Sequence, residues 1–144
     1  MNIFYLDNDP KEAAVQQHNK HVIKMILESA QMLCTAHHEA GSTDERLYKR
    51  THTNHPSAVW VRESSAHYMW LYQHMLELGE EYTRRYNKTH LTIIKLKDLL
   101  KTPPEGAPST SFVPPPQCMP DEYKAEDTVV AYQNYYKLKR ELLG

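Results

Sequence analysis

The chain has 144 residues, a formal net charge of −1 with its nine histidines counted as neutral, and two cysteines. This length suits one domain with its own core, and two cysteines are too few for a disulfide framework. The near-zero charge excludes a uniformly basic nucleic-acid coat, so a polyanion site must be local. The chain shows no charged-then-apolar leader and no run of eighteen apolar residues, which favours a cytoplasmic protein with free thiols and no membrane partner.

The first part of the chain predicts a short extended arm and one long helix. Asn2 to Leu6 is short and apolar, as expected of the arm. Asp9-Pro10-Lys11-Glu12 combines a helix N-cap, a proline at the first helical position and a glutamate three residues after the cap. No breaker follows before Gly41, so the pattern predicts a single helix, straight or gently kinked, over residues 10–39.

This helix has an apolar stripe and a polar row when its residues are placed at 100° intervals. Such a polar row is commonly a solvated face. An imidazole, an ammonium and a carboxylate one turn apart can also exchange protons and tune one another, so both interpretations stay open. The apolar stripe contains Val22, Ile26, Ala30 and Leu33, and the polar row contains His21, Lys24, Glu28, Gln31 and Thr35.

A predicted loop over residues 42–56 begins the most basic stretch of the chain. No acidic residue lies between Arg46 and Arg62. A local excess of positive charge of this kind attracts phosphate groups. The candidate contacts to a nucleic-acid backbone in this stretch are Arg50, His52, Asn54, His55 and Arg62.

The remaining predicted elements are three helices and a proline-rich segment. Seven of the nine prolines lie in residues 102–120, and we expect residues 102–126 to cross the surface in extended form. The fold class is therefore all-α, a compact single-domain bundle over residues 1–144 with a long N-terminal helix. The three helices begin near Ser57 or Ser65 and end at Tyr86, cover about Leu91 to Leu100, and cover about Asp127 to Leu143.

The histidines raise the question of a metal site. None of their pairs has the ligand spacing of a zinc finger, a zincin or a Cys/His deaminase. We assign no metal ligand and no cofactor, and a metal-dependent helical enzyme is the least favoured hypothesis. The pairs are His18 with His21, His37 with His38, and His52 with His55.

Glu28 and the basic loop make base excision chemically possible. A sheltered carboxylate beside cationic groups can act as a base, or can stabilise the positive charge that develops when a glycosidic C1′–N bond breaks. The row around His21 and Glu28 lies next in sequence to the basic loop. These groups are therefore the candidate site.

The order of these features resembles the pyrimidine-dimer DNA glycosylases of the endonuclease V type from phages and bacteria. The similarity extends along most of the chain, and its most specific local element is Asn-His-Pro at the end of the basic loop. The matching features are the short arm, Asn19-Lys20-His21 leading a helix with Glu28, Asn54-His55-Pro56, a helix with Tyr68 and Leu71, and Tyr132 to Lys137.

The resemblance implies a mechanism and assigns roles. A free α-amino group attacks C1′ to give a Schiff base, a helix glutamate assists, and the damaged duplex is kinked with a base turned out. Glu28 corresponds to that glutamate and His21 to a helix histidine that contacts DNA, while Gln31 stands where an arginine is expected. Because Asn2 is a poor residue for methionine removal, the amine would belong to Met1.

Two functions stay open at this point. The first is a glycosylase/AP lyase that excises or processes a damaged or modified pyrimidine, in which Lys24 and Gln31 join the loop residues in binding DNA or a nucleotide and Trp60 supplies an aromatic wedge. The second is a non-enzymatic phage-type accessory protein that binds a nucleotide, nucleic acid or host protein on the same scaffold. Either would work in the cytoplasm, the host's if a phage encodes it, and the oligomeric state stays open.

Overall fold

The regular structure of the chain is entirely helical. The computed structural model describes residues 1–144 and contains six α-helices, one 3₁₀ turn and no strand, which confirms the all-α prediction. No helix is long and apolar enough to cross a membrane. The α-helices are α1 (Pro10–Val15), α2 (Asn19–Glu39), α3 (Pro56–Glu63), α4 (Ser65–Tyr86), α5 (Leu91–Leu100) and α6 (Thr128–Leu143), and the 3₁₀ turn is Asp121–Tyr123.

Three helices begin at a histidine. In His18, His55 and His90 the ring Nδ1 accepts a hydrogen bond from the backbone N–H two residues later, at 3.1 Å in each case. These bonds satisfy N–H groups at the starts of α2, α3 and α5 that have no partner within the helix. A ring nitrogen that accepts a hydrogen bond carries no proton, so each capping imidazole is neutral.

The prediction of one long helix over residues 10–39 is wrong, because the chain breaks between α1 and α2. His18 adopts extended backbone angles, φ −61° and ψ 147°, and its N–H donates to the Tyr136 hydroxyl at 2.8 Å instead of to a helical carbonyl. The break turns the chain between two helices that both pack on α4.

Side chains from distant elements replace the hydrogen bonds that the break removes. Arg85 donates to the carbonyl oxygens of Val15 at 3.1 Å and Gln17 at 2.7 Å, and Arg140 donates to that of Gln16 at 2.8 Å. Unpaired carbonyls near a protein interior are costly, so these two arginines stabilise the break. Because both arginines are remote in sequence from residues 15–17, the local sequence pattern does not reveal the break between α1 and α2.

The aromatic-rich stretch forms two helices: α4 begins at Ser65, one of the two predicted starts, and α3 is a separate helix before it. Ser64 is extended between them, with φ −155° and ψ 142°. Its hydroxyl accepts from the Ala66 N–H at 3.1 Å and donates to the Thr110 carbonyl at 2.8 Å. One serine therefore begins α4 and also attaches the proline-rich segment to it.

One hydrophobic core of 28 buried residues joins the arm to the helices. The arm residues Ile3 to Leu6 are each at most 5% exposed, although they form no regular structure. α2 packs along α4, and α5 approaches α4 so closely that a Cβ on Gly79 would lie 2.9 Å from Ile93. The arm is therefore part of the core, and its packing fixes the position of the amino terminus in the fold.

The proline-rich segment runs from α5 to the 3₁₀ turn without helix or strand and is mostly exposed. Its backbone carbonyls accept hydrogen bonds from α3 and α4, and these bonds fix its position. The Ser65 N–H donates to the Pro108 carbonyl at 2.8 Å, and the Trp60 indole N–H donates to the Val113 carbonyl at 2.9 Å. Trp60 is 3% exposed and stacks on His67, so this location argues against the wedge role predicted for it.

Two core histidines make stability depend on pH. Burial lowers the pKa of His74 to about 4, and burial with nearby lysines lowers the pKa of His21 to about 4. Below pH 6.5 the unfolded chain takes up protons that the folded chain excludes. We expect a loss of roughly 2 kcal/mol of unfolding free energy per histidine on going from pH 7.5 to pH 5, measured by urea unfolding.

A variant separates the contribution of His74. Its Nδ1–H donates to the Pro10 carbonyl and its Nε2 accepts from the Gln17 amide. His74→Gln is expected to be less stable at pH 7.5, and its unfolding free energy should fall by about 2 kcal/mol less between pH 7.5 and pH 5 than that of the wild type. An unchanged pH dependence would contradict the assignment.

Candidate active site

The buried arm places the α-amino group of Met1 beside α2. The Met1 side chain is only 2% exposed and packs against the core. A charged amine at the edge of a core needs a partner, because desolvation of an unpaired charge is costly. That partner is Glu28.

Glu28 lies between two cations. Its Oε1 is 3.9 Å from the Met1 amine nitrogen and its Oε2 is 3.5 Å from Lys24 Nζ. The Glu28 side chain is 15% exposed, whereas that of Lys24 is 67% exposed. Both separations are within the range of an ion pair but longer than a good hydrogen bond. The arrangement is a sheltered carboxylate with cationic neighbours, as the excision chemistry requires.

His55 is the third group near the amine. Its pKa is lowered mainly by burial, then by the positive charges of the Met1 amine and His52, while Glu28 opposes the shift. Its Nδ1 is occupied by the helix cap, so Nε2 carries the proton in the neutral ring. The predicted residues Met1, Glu28, Lys24 and His55 thus share one electrostatic environment.

His21 lies in the core, apart from this group. It precedes Glu28 by two turns of α2, about 10 Å along the axis. Its ring stacks on Phe4 with centroids 4.4 Å apart, and its Nδ1 is 2.9 Å from the Tyr136 hydroxyl. These are contacts of a packing residue, and the catalytic role predicted for His21 stays a prediction.

The loop cations are partly neutralised by carboxylates. Arg46 makes a bidentate contact with Asp44, at 3.0 Å and 2.6 Å. Arg50 lies 3.4 Å from Glu39 at the end of α2. The loop is therefore less positive than its composition indicates.

The other predicted binding residues lie on α2, on the loop and on α3. Gln31 is half-buried one turn after Glu28, and His52 and Asn54 are exposed on the loop. Arg62 lies near the end of α3, about 10 Å along the axis from His55. Its Nη1 is buried without an acceptor, and it lines a cavity of about 450 Å³ with Glu39, Val61, Tyr68, Pro104 and Pro108. Their binding roles stay predictions.

The histidine pairs take part in hydrogen bonds within the fold. His37 Nε2 is 2.8 Å from the Tyr68 hydroxyl, and His38 Nε2 is 2.9 Å from the Tyr48 carbonyl oxygen. His18 and His55 are helix caps. No group of three or more His, Cys, Asp or Glu side chains converges on a point where a metal ion could bind.

Sequence reasoning missed the residues that surround the start of the chain. The Asn2 amide donates to the Cys118 carbonyl at 2.8 Å, and the Tyr132 hydroxyl lies 2.7 Å from Asn2 Oδ1. Tyr132 is fully buried, and burial raises its pKa, which keeps the hydroxyl protonated. No local pattern links residue 2 to residues 118 and 132, so only the fold reveals this contact.

Most of the chain matches a known protein family. A family model described as pyrimidine dimer DNA glycosylase matches residues 1–94. The chain belongs to the pyrimidine dimer DNA glycosylase family. The match spans the arm, α1 to α4 and the start of α5, and so includes Met1, Lys24, Glu28 and His55. No curated protein and no solved structure matches the chain. The family resemblance inferred from the sequence is confirmed.

The cap at α3 can be tested apart from any activity. We expect His55→Ala to lower the unfolding free energy by about 1 kcal/mol, because a helix N–H loses its acceptor. His55→Asn should restore most of this loss, because an asparagine side chain also caps helices well. Urea unfolding at pH 7.5 measures both. Equal losses in the two variants would show that the ring stabilises the fold by packing and not by capping.

Proposed function

We propose that the protein is a DNA glycosylase with AP lyase activity that excises a damaged or modified pyrimidine, with the α-amino group of Met1 as nucleophile. The observation that supports this most is the amine 3.9 Å from Glu28, a carboxylate only 15% exposed. Both groups lie in the part of the chain that matches the family. An amine beside a sheltered carboxylate suits covalent catalysis at a sugar carbon.

The Met1 amine and the Glu28 carboxylate have distinct roles in the proposed reaction. The Met1 amine, charged beside Glu28 in the free protein, first gives one proton to water. Its lone pair then attacks C1′ while the C1′–N bond breaks, and the pyrimidine leaves with the electrons of that bond and takes up a proton from water. Glu28 accepts the proton that the amine nitrogen loses, and its negative charge stabilises the positive charge at C1′. The nitrogen lone pair then forms the C=N bond as the C1′–O4′ bond breaks, O4′ takes the electrons of that bond and the proton held by Glu28, and the product is the Schiff base. Loss of a C2′ proton then expels the 3′ phosphate in the lyase step.

DNA binding is assigned to the polar side of α2 and to the basic loop. Lys24 is the most exposed cation beside Glu28, and Arg50 extends the positive surface to the loop. Gln31, His52 and Asn54 supply further hydrogen-bonding groups on α2 and on the loop, where His52 and Asn54 are exposed. Phosphate contacts from such groups set the register of the duplex without reading its sequence.

Glu28→Gln tests the catalytic proposal. The amide keeps the shape of the side chain but carries no charge and accepts no proton. We expect the rate of borohydride-trapped adduct formation on dimer-containing DNA to fall by roughly 10²-fold or more. Glu80→Gln, a matched change at an exposed position of α4, should leave that rate unchanged. Blocking the α-amino group by acetylation should abolish the adduct in the wild type.

Two outcomes of the same trapping assay would contradict the proposal. Trapping at the wild-type rate in Glu28→Gln would remove the carboxylate from the mechanism. A wild-type protein that binds dimer-containing DNA at low salt, yet forms no adduct on damaged, modified or abasic DNA, would instead be an accessory binding protein.

Salt dependence tests the DNA surface. A protein that contacts phosphates releases bound cations from DNA, so its affinity falls as salt rises. We expect Arg50→Gln to weaken DNA binding and to reduce the slope of log K against log salt by about 1. Arg46→Gln is the control and should change the slope little, because Arg46 is held by Asp44 in a bidentate contact. Fluorescence anisotropy between 50 and 200 mM salt measures both, and equal slopes for Arg50→Gln and wild type would exclude the loop from the interface.

A further inference from the structure

The residue after the proposed nucleophile is held at both ends of its side chain. The Asn2 amide NH₂ donates to the Cys118 carbonyl at 2.8 Å. Asn2 Oδ1 accepts from the Ile3 N–H at 3.0 Å and faces the Tyr132 hydroxyl at 2.7 Å. The carboxamide therefore uses both its donor and its acceptor in fixing the backbone next to Met1.

The Tyr132 hydroxyl connects this side chain to the proline-rich segment. Besides Asn2 Oδ1, it lies 2.6 Å from the Pro116 carbonyl oxygen and accepts from the Cys118 N–H at 3.3 Å. One hydroxyl proton serves one acceptor at a time, so Asn2 and Pro116 share it. α6, the proline-rich segment and the arm thus meet at a single buried oxygen atom.

We propose that Asn2, Tyr132 and the backbone at Cys118 form a clamp that positions the Met1 amine against Glu28. This inference rests on the proposed function for its catalytic meaning. Consecutive Cα atoms are 3.8 Å apart, so a fixed Asn2 leaves the amine little freedom. Displacement of a reacting group by about 1 Å can cost roughly 10² in rate. Asn2 and Tyr132 are positioning residues, since neither is assigned a contact with the substrate.

The clamp also gives a role to the part of the chain beyond the family match. Residues Pro116, Cys118 and Tyr132 lie after residue 94, where the match ends. Cys118 and Tyr132 contact Asn2 directly, and Pro116 is linked to it through the Tyr132 hydroxyl. The site is therefore completed by residues outside the region that identifies the family.

Two measurements with opposite expected signs separate positioning from simple stability. When the clamp is removed, the arm should loosen and the amine should become more accessible to a small reagent. The same loosening should slow its reaction with a bound sugar, because the amine spends less time near Glu28. A general loss of stability, without local loosening, would change neither rate while the protein stays folded.

The test compares Asn2→Leu and Tyr132→Phe with the control Tyr72→Phe. Leucine has nearly the size of asparagine but makes no hydrogen bonds, and a large second residue disfavours methionine removal, which intact mass confirms. Tyr72→Phe removes a buried hydroxyl that donates to the Lys97 carbonyl at 2.6 Å on another side of the molecule.

Two readouts are compared. The first is the rate at which formaldehyde and cyanoborohydride methylate the α-amino group, measured on the N-terminal peptide. The second is single-turnover borohydride trapping at saturating DNA, with the DNA dissociation constant measured beside it.

In both clamp variants we expect methylation of the amine to be at least several-fold faster. Trapping should be about 10²-fold slower, with an unchanged DNA dissociation constant and wild-type rates in Tyr72→Phe. Methylation rates equal to that of Tyr72→Phe would overturn the clamp. If the wild type forms no adduct while the clamp variants methylate faster, the clamp stands as an anchor of the arm and the proposed lyase activity fails. Faster methylation with an undiminished trapping rate would overturn the positioning role.

Discussion

The burial of the first residues of the chain is the constraint on which the rest of the structure depends. Ile3 to Leu6 enter the core as a segment without regular structure, so their position comes from side-chain packing and from a few directed hydrogen bonds. This packing brings the α-amino group to Glu28. A frayed arm would leave the same residues in the chain but would separate the amine from the carboxylate.

Histidine contributes to this structure mainly as a neutral hydrogen-bonding group. His18, His55 and His90 start helices through an unprotonated nitrogen, and His74 both donates and accepts inside the core. In the sequence, His18 and His55 belonged to the pairs that raised the question of a metal site. Burial lowers the pKa of His55, His74 and His90, and this favours the unprotonated rings that can accept these hydrogen bonds.

Local sequence signals predicted much of the fold and part of the site. The capping pattern at Asp9, the proline-rich segment and the last helix were all visible, because each rests on nearby residues. The break at His18 was not visible, because its hydrogen-bond partner is the remote Tyr136, and the sequence left the helix boundary at Ser64 as one of two alternatives. The family resemblance assigned Glu28 a catalytic role, which stays a prediction, and the fold shows that this carboxylate is only 15% exposed. The helical wheel placed His21 on a polar row but could not show that Phe4 would cover it.

The meeting of α6 with the arm has a consequence for where the protein can be shortened. A fragment ending at residue 94 would contain the whole region that matches the family, yet it would lack Tyr132 and Tyr136. The aromatic faces of Phe4 and His21 would then be uncovered on one side, since both pack on Tyr136. The stretch that shares sequence with the family is therefore shorter than the unit that has to fold.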